Sequence, residues 1–419
     1  MKNFIISIFV IGSILHMSNA QDTEDITWSY NSSNIIEDIV GTEYEFYKTT
    51  MSPNGRLIAW VENSRICLHE EETICHNLEW DEAFMNSQVG FNNVYLQWSL
   101  DSQYIALSQD PFFLGFDSDI WLFDTGDNDF VNLTEDNFDS VLVSGNMVYA
   151  DIPVDFSPLW KSENELLFFR TFSASQDASI SLEQYPYQEL FLYSINVDTR
   201  ETKLELDLTE HIAPGDVAGA VNSSGSILAL VAPKLITDSD RNLEFGTWLI
   251  NLDTYYLDFI VDTPKLERFL FTWLNVSFVY PTSNRSIVWH PSGDSIIMSF
   301  NWITEEGFII PQQFWFEVES KSLNAIVDYS SIPIDDNSVE EYVSDIVIVP
   351  PTGEILYYIA RTSDNEMQTL YLIETNSSET QYVQEVFFPR GFTDGVVSLS
   401  SNGLVMTSDL NIMEFTENE

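Results

Sequence analysis

The chain has 419 residues, 44% of them hydrophobic and 14% aromatic, ample apolar material for a large core. Its 66 acidic against 16 basic residues give a formal net charge of −50. That charge excludes nucleic acid and anionic membrane surfaces as partners, because both would be repelled.

From the N-terminus, Lys2, the apolar run Phe4 to Leu15 and the small-residue triplet Ser18-Asn19-Ala20 compose a secretory leader. Residues 1–20 are expected to be removed, leaving a mature protein that starts near Gln21. The apolar run is too short to span a bilayer, and an uncleaved anchor is the alternative. No later stretch is long and apolar enough to cross a membrane. The expectation is an exported protein, periplasmic or extracellular, without membrane insertion after cleavage. A β-like patch follows at Ile26-Thr27-Trp28-Ser29-Tyr30.

The organising unit runs from Asn92 to Asn137. Val94-Tyr95-Leu96-Gln97-Trp98 is β-rich, Ser99-Leu100-Asp101-Ser102-Gln103 is a polar turn, and Tyr104-Ile105-Ala106-Leu107 is a second apolar run. Asp119-Ile120-Trp121-Leu122-Phe123 is a third run, and Phe130-Val131-Asn132-Leu133-Thr134 a fourth. Such a four-strand unit buries a face only against a neighbour. The first turn recurs clearly at Met51-Ser52-Pro53-Asn54-Gly55, Trp289-His290-Pro291-Ser292-Gly293 and Pro350-Pro351-Thr352-Gly353. Weaker copies are Trp160-Lys161-Ser162-Glu163-Asn164, Asn222-Ser223-Ser224-Gly225 and Ser400-Ser401-Asn402-Gly403. Asn-Gly or Ser-Gly supplies positive φ at a tight hairpin, and Pro pre-sets φ before it. The apolar run after each turn is predicted to be buried on both faces.

Copies stand about 45 to 70 residues apart, the range of four-stranded propeller blades. The prediction is an all-β chain: a single β-propeller over residues 21–419, with seven four-stranded antiparallel blades. The weaker copies leave six or eight open. The first six blades are expected to end near residues 80, 137, 208, 261, 328 and 388. Phe269 to Trp273 and Val276 to Tyr280 read as two further strands before the fifth. The last repeat, Val396 to Phe415, offers only three strands. A closed ring needs a fourth, which the N-terminal patch is expected to supply, a loose arm being the alternative.

The turn Ser52-Pro53-Asn54-Gly55-Arg56-Leu57-Ile58-Ala59-Trp60, the strand Asp119 to Asp124 and the ending Asn132-Leu133-Thr134 resemble the PD40 (WD40-like) repeats of TolB-type β-propellers. They are also similar to the N-terminal propeller of the dipeptidyl peptidase IV family. The resemblance implies the fold and, for function, a surface presented to partners. No Gly-x-Ser-x-Gly elbow and no phosphate loop occurs, and the repeats reach the last residues, so peptidase activity is not implied.

Cys67 and Cys75 are the two cysteines of the chain, and they flank a Glu-rich turn centred on Glu71. Mirror placement predicts a cross-strand disulfide, which export permits. A zinc site from Cys67, His69 and Cys75 is the alternative. The acids are scattered singly, which reads as a solvated acidic surface whose self-repulsion salt would screen. A divalent-cation role is the sharper reading, with Asp124-Thr125-Gly126-Asp127-Asn128-Asp129 as its best calcium candidate. That stretch lacks an EF-hand's closing glutamate and sits where a strand turn is expected. No cofactor is otherwise expected.

Insertions fall between second and third strands, at Gln109–Ser118, Thr171–Tyr187, Ala232–Phe245 and Asn301–Pro311. These loops would share one end of the propeller with the blade connectors, leaving the tight turns at the other. They carry Phe112, Phe113, Phe116, Tyr185, Tyr187, Trp302 and Phe308, which form a recognition patch if exposed and cover blade ends if folded back. With no catalytic motif found, the expected function is non-catalytic binding, by a monomer, of a protein or glycan at the cell envelope or outside the cell. The alternatives are a hydrolase or lyase with a metal or carboxylate pair at the central channel, and a structural module of an envelope assembly.

Overall fold

Second strands decide the architecture, because alternate side chains on one strand point to opposite faces and both faces here are apolar. In the computed structural model, Ile105 and Leu107 pack with Ala59, Val61, Ile66 and Leu68 on one side. Ala106, between them, joins Leu166 and Phe168 on the other. Leu167 and Phe169 then face Leu228 and Leu230, while Ala229 and Val231 face Ile296, Met298 and Phe314. Each of these three second strands thus sits in a sheet packed between two others. A buried Leu, Phe or Met in such an interface stabilises by about 1.5–3 kcal/mol.

The structure describes residues 28–34, 47–62, 65–70, 72–77, 94–109, 118–135, 153–173, 187–212, 217–233, 245–262, 278–304, 309–325, 341–349, 354–361, 367–373, 380–387, 398–399, 404–406 and 411–417. They form seven four-stranded antiparallel sheets and no helix. Blade one is Tyr47–Met51, Ile58–Glu62, Arg65–His69 and Thr73–Asn77. Blade two is Val94–Trp98, Tyr104–Gln109, Trp121–Asp124 and Asp129–Asn132. Blade three is Pro153–Trp160, Glu165–Ser173, Tyr187–Asn196 and Thr202–Asp207, and blade four Ala218–Val221, Ile227–Pro233, Phe245–Asn251 and Tyr256–Asp262. Blade five is Phe278–Trp289, Ser295–Thr304, Ile309–Glu317 and Ser322–Ala325. Blade six is Glu341–Val349, Glu354–Arg361, Met367–Ile373 and Thr380–Phe387. Blade seven joins both chain ends: Ser398–Leu399, Leu404–Met406, Asn411–Glu417 and, outermost, Trp28–Asn34. The first strands of blades seven, one, two, three, four and five lie side by side in succession, which makes them the inner wall.

Seven blades and closure by the N-terminal strand both agree with the repeat pattern. Of the two further strands expected before blade five, Val276 to Tyr280 becomes the start of that blade's inner strand at Phe278, and Phe269 to Trp273 lies outside the described residues. Residues 1–27, with the leader, also lie outside them.

One six-residue turn joins first and second strands. Ser52, Ser99, Asn222 and His290 each donate their backbone N–H to the carbonyl five residues on. The fourth residue has positive φ: Gly55, Ser102, Gly225 and Gly293. Ser52 Oγ, Ser99 Oγ and Asn222 Oδ1 also accept the N–H of Leu57, Tyr104 and Ile227. The turns stack from blade to blade. A Cβ on Gly225 would lie 2.5 Å from the carbonyl oxygen of Lys161 on blade three, so that position needs glycine for space as well as for φ. The tryptophans before the turns add ties, with Trp160 Nε1 donating to Gln97 O and Trp289 Nε1 to Ala220 O, each one blade back.

A second turn type joins third and fourth strands. Asp124 Oδ1 accepts the N–H groups of Gly126 and Asp127, Asn196 Oδ1 those of Asp198 and Thr199, and Asn251 Oδ1 those of Asp253 and Thr254. The fifth residue sits at positive φ without being glycine, as Asn128, Arg200, Tyr255 and Lys321. The second residue, Thr125, Val197, Leu252 or Val318, donates its N–H to a carbonyl of the first turn. Both tight turns therefore lie at one end of the propeller, and the second-to-third strand loops and blade connectors at the other.

Candidate functional site

At the loop-bearing end most polar chemistry repeats. On blade two, Asn132 Nδ2 donates to Asp119 Oδ2 at 2.7 Å, Thr134 Oγ1 donates to Asp119 Oδ1 at 3.2 Å, and Ile120 N donates to Thr134 Oγ1 at 2.9 Å. Thr134 N donates to Asn132 Oδ1. Blade three repeats the clamp with Asp207 and Thr209: Thr209 N donates to Asp207 Oδ1, and Leu190 N to Thr209 Oγ1. The Asn-Leu-Thr ending is therefore a strand clamp that closes the third and fourth strands.

One feature at this end is unrepeated among the described residues. Asp155, on the inner strand of blade three, lies in register with Arg170 on the second strand. Arg170 Nε donates to Oδ1 and Nη2 to Oδ2, both at 2.6 Å, the parallel fork geometry that makes Arg–carboxylate pairs strong. The Asp155 side chain is 2% exposed and that of Arg170 18%. The guanidinium carbon stands 4.9 Å from the Tyr193 ring centroid and 5.6 Å from that of Phe168. The backbone of Asp155 is fixed as well: its N–H donates to Ser118 O, and its carbonyl accepts from Ser118 Oγ, each at 2.7 Å. Beside it, Ser157 at φ 50° donates its N–H to Ser108 Oγ, and the register shifts between Phe156 and Leu159. A bulge of this kind re-aims a strand and is over-represented next to active sites. The pair is thus an oriented, charge-compensated unit near the loop-bearing end of blade three.

The sequence pattern did not single out Asp155 or Arg170. The available signal was a charge inside an apolar strand, twice: Val154-Asp155-Phe156 and Phe168-Phe169-Arg170-Thr171-Phe172. Cys67 and Cys75 do pair, as a disulfide with Cα atoms 4.0 Å apart. The register runs Cys67↔Cys75, Leu68↔Ile74, His69↔Thr73, which centres the hairpin on Glu71 as expected and removes the zinc alternative. His69 Nδ1 lies 3.2 Å from Thr73 Oγ1. The Asp124 to Asp129 stretch is a turn at the tight-turn end, with Asp124 Oδ1 occupied by its own backbone. No group of three or more His, Cys, Asp or Glu side chains among the described residues is placed to hold a metal.

The aromatic candidates divide. Phe112, Phe113, Phe116, Tyr185 and Phe308 lie outside the described residues. Tyr187 and Trp302 are on strands, a correction to their placement in loops. Tyr187 opens the third strand of blade three, paired with Ser173. Trp302 falls within Ser295–Thr304 and pairs with Ile310, because the blade five hairpin keeps its ladder through Asn301↔Pro311 and Ile303↔Ile309.

A second ionised cluster lies on the rim. Glu205, 2% exposed, accepts hydrogen bonds from Ser194 Oγ at 2.6 Å, from Lys203 Nζ at 2.8 and 2.9 Å, and from the Tyr255 hydroxyl of blade four. Lys321 of blade five likewise meets Asp258 of blade four at 2.7 Å. In both, the positive-φ residue of one blade's turn reaches an acid on the outer strand of the blade before it. These are clasps between blades.

Comparison with known proteins gives fold without family. No family model matches the chain, and no curated protein matches it. Among solved structures, it is similar to the oligogalacturonate lyase of Vibrio parahaemolyticus at 10% identity and a TM-score of 0.52, covering 93% of this chain and 97% of that one. A puromycin-hydrolyzing peptidase of Mycobacterium tuberculosis matches at 10% identity and a TM-score of 0.51, covering 90% of this chain and 52% of that one. A putative TolB of Agrobacterium tumefaciens matches at 10% identity and a TM-score of 0.37, covering 94% and 99%. What the chain shares with the first two is the β-propeller fold. The likeness does not extend to function, yet it corrects one expectation. Non-catalytic binding was expected because the sequence shows no catalytic motif. The Vibrio protein, spanned almost whole by this chain, is a lyase, so a propeller of this extent needs no second domain to be an enzyme.

Proposed function

We propose that the chain is an exported propeller enzyme of the hydrolase or lyase type, acting at the loop-bearing end of blades two and three. The observation that carries this reading is the buried, bidentate Asp155–Arg170 pair, a charge constellation that the repeat does not need. Ester or lactone hydrolysis and β-elimination share one demand: negative charge builds on a carbonyl or carboxylate oxygen. A guanidinium held in place before substrate arrives stabilises that charge without reorganising. In this reading Arg170 is the oxyanion donor and Asp155 its positioning residue. The disulfide supports export, since such bonds persist in oxidising compartments. A net charge of −50 favours neutral or cationic substrates and argues against carrying over the anionic substrate of the Vibrio lyase.

The test is a turnover screen of the purified mature chain against neutral and cationic esters, lactones, glycosides and peptides, repeated with Arg170→Lys. Removing an oxyanion donor lowers kcat by about 10²–10³, and Lys cannot reproduce the fork. Activity that co-purifies with the protein and falls by that factor in the variant supports the reading. No turnover in any class, or turnover indifferent to Arg170→Lys, overturns it.

A further inference from the structure

Tryptophan ends the inner strand of blades two, three and five, as Trp98, Trp160 and Trp289. Trp160 and Trp289 each donate Nε1 to a carbonyl of the preceding blade, at 3.0 and 2.8 Å. Their acceptors, Gln97 and Ala220, lie in unbroken ladders, opposite Ala106 and Ala229. The inner strands of blades one, three, five and six instead shift register, between Tyr47 and Thr50, Phe156 and Leu159, Pro281 and Arg285, and Val343 and Ile346. A bulge bends a strand and re-aims its groups. After blades three, five and six the next inner strand ends on Val221, Val349 or Leu399, none of which needs an acceptor. Trp98 departs from that rule, since it follows the bulged strand of blade one. It is 7% exposed, and its Nε1 is buried without a hydrogen bond. His76 Nε2 is the other such side-chain atom among the described residues, and it lies at the same interface. The His76 ring, on the outer strand of blade one, stands 5.2 Å from that of Phe123 on blade two. Ile66 opposite it, Trp98 and Phe123 belong to one core shared by the two blades.

We infer that the interface between blades one and two is the seam of the ring, opening before those between two and three or four and five. Closing it takes two polar groups out of water with no partner in exchange, which favours opening about tenfold for each. The other two interfaces are closed by the Trp160 and Trp289 bonds instead. At the tight turns Asn54 N donates to Ser102 Oγ at 3.1 Å across the seam, which keeps the opening small. The Cys67–Cys75 disulfide ties the third and fourth strands of blade one beside His76, so the blade yields as a unit and does not unravel.

Ala59, Ala106 and Ala229 are fully buried on second strands, in the cores between blades one and two, two and three, and four and five. The experiment places one thiol at each in turn, as Ala59→Cys, Ala106→Cys or Ala229→Cys, in the full chain with its disulfide intact. The rate of labelling by excess thiol reagent under native conditions reads the opening of that interface. Ala59→Cys should label at least about tenfold faster than the other two. Trp98→Phe and Trp160→Phe then remove the same volume, but the second also gives up a hydrogen bond. Adding Trp160→Phe to Ala106→Cys should speed labelling about tenfold more than adding Trp98→Phe to Ala59→Cys. Equal labelling at the three positions, or equal effects of the two substitutions, overturns the inference. Should a variant fail to fold, indole hydrogen exchange in the wild-type chain decides. Trp98 should exchange at least about tenfold faster than Trp160 and Trp289; protection equal to theirs, by a long-lived bound water or otherwise, overturns the seam.

Discussion

Replacing Arg170 by Met keeps a long flexible side chain beside Phe168 and Tyr193 but removes both hydrogen bonds to Asp155. The carboxylate left behind is 2% exposed, so water cannot take over from the guanidinium. Breaking a buried pair by deleting one partner costs about 3–5 kcal/mol, most of it the stranded charge. Unfolding entropy near 60 °C is about 2.1 cal/mol/K per residue, so 419 residues carry about 0.9 kcal/mol/K. The expected fall in Tm is therefore about 3–6 °C. Asp155→Asn should cost less, about 1–3 kcal/mol, because Arg170 is 18% exposed and can turn partly to solvent. With both changes no charge is stranded, so the double variant should recover about 2 kcal/mol or more relative to the sum of the singles. Urea titrations of the four proteins read this coupling directly. A cost below about 1 kcal/mol for Arg170→Met, or additive single effects, would refute the view that the pair is a desolvated unit.

Gly246→Ala places a Cβ 2.2 Å from Phe259 Cε2 and 3.0 Å from Trp248 Cη2, so Phe259 must leave its position 5.0 Å from the Trp248 ring. The expected loss is about 1–3 kcal/mol, relieved when Phe259→Ala is added; no relief would mean the collision is not the cause. For Glu205, burial opposes the charge, but hydrogen bonds from Lys203, Ser194 and Tyr255 outweigh it and hold the pKa below its ordinary 4.5. A depressed carboxylate stabilises fully above its unfolded pKa and loses that contribution as pH falls through the folded one. Glu205→Gln should therefore flatten the fall of Tm with pH below about 4.5, and an unchanged acid limb would count against the clasp. Thiol titration of the native protein should find no free cysteine, and Cys67→Ser with Cys75→Ser should cost about 2–3 kcal/mol, the loop-closure value for so short a span. Tm should rise with sodium chloride, because screening relieves a net charge of −50; a flat response would point to acids already neutralised in pairs.

What the amino-acid order reveals here is whatever repeats. The six-residue turn can be read in advance because Ser52 or Asn222 at its first position and Gly55 or Gly225 at its fourth are demanded by local geometry alone. Closure by Trp28–Asn34 follows from counting three strands where four are needed. Ser102 shows the limit of such reading, since it takes positive φ where the other blades use glycine, and the turn still forms through Ser99 Oγ and Asp101. The ends of the blade five hairpin misled for another reason: the stretch from Asn301 to Pro311 lacks strand-like alternation, yet Asn301, Trp302 and Ile303 are held in ladder by Pro311, Ile310 and Ile309.

Arg170 illustrates why the candidate site was harder to find than the ring. Its meaning depends on Asp155, one strand away, and on Ser118, one blade away, and no short-range pattern links the three. The same contrast motivates the proposed site. In a molecule built from copies, interactions that recur from one blade to the next are explained by the fold, as with the Asn132–Thr134 clamp and its Asp207–Thr209 counterpart. A buried ion pair confined to blade three among the described residues has no such explanation, and burying it carries a desolvation cost that an apolar pair would avoid. On the proposed reading Arg170 serves a task at the loop-bearing end, and the activity of Arg170→Lys beside the stability of Arg170→Met separates that task from support of the strand.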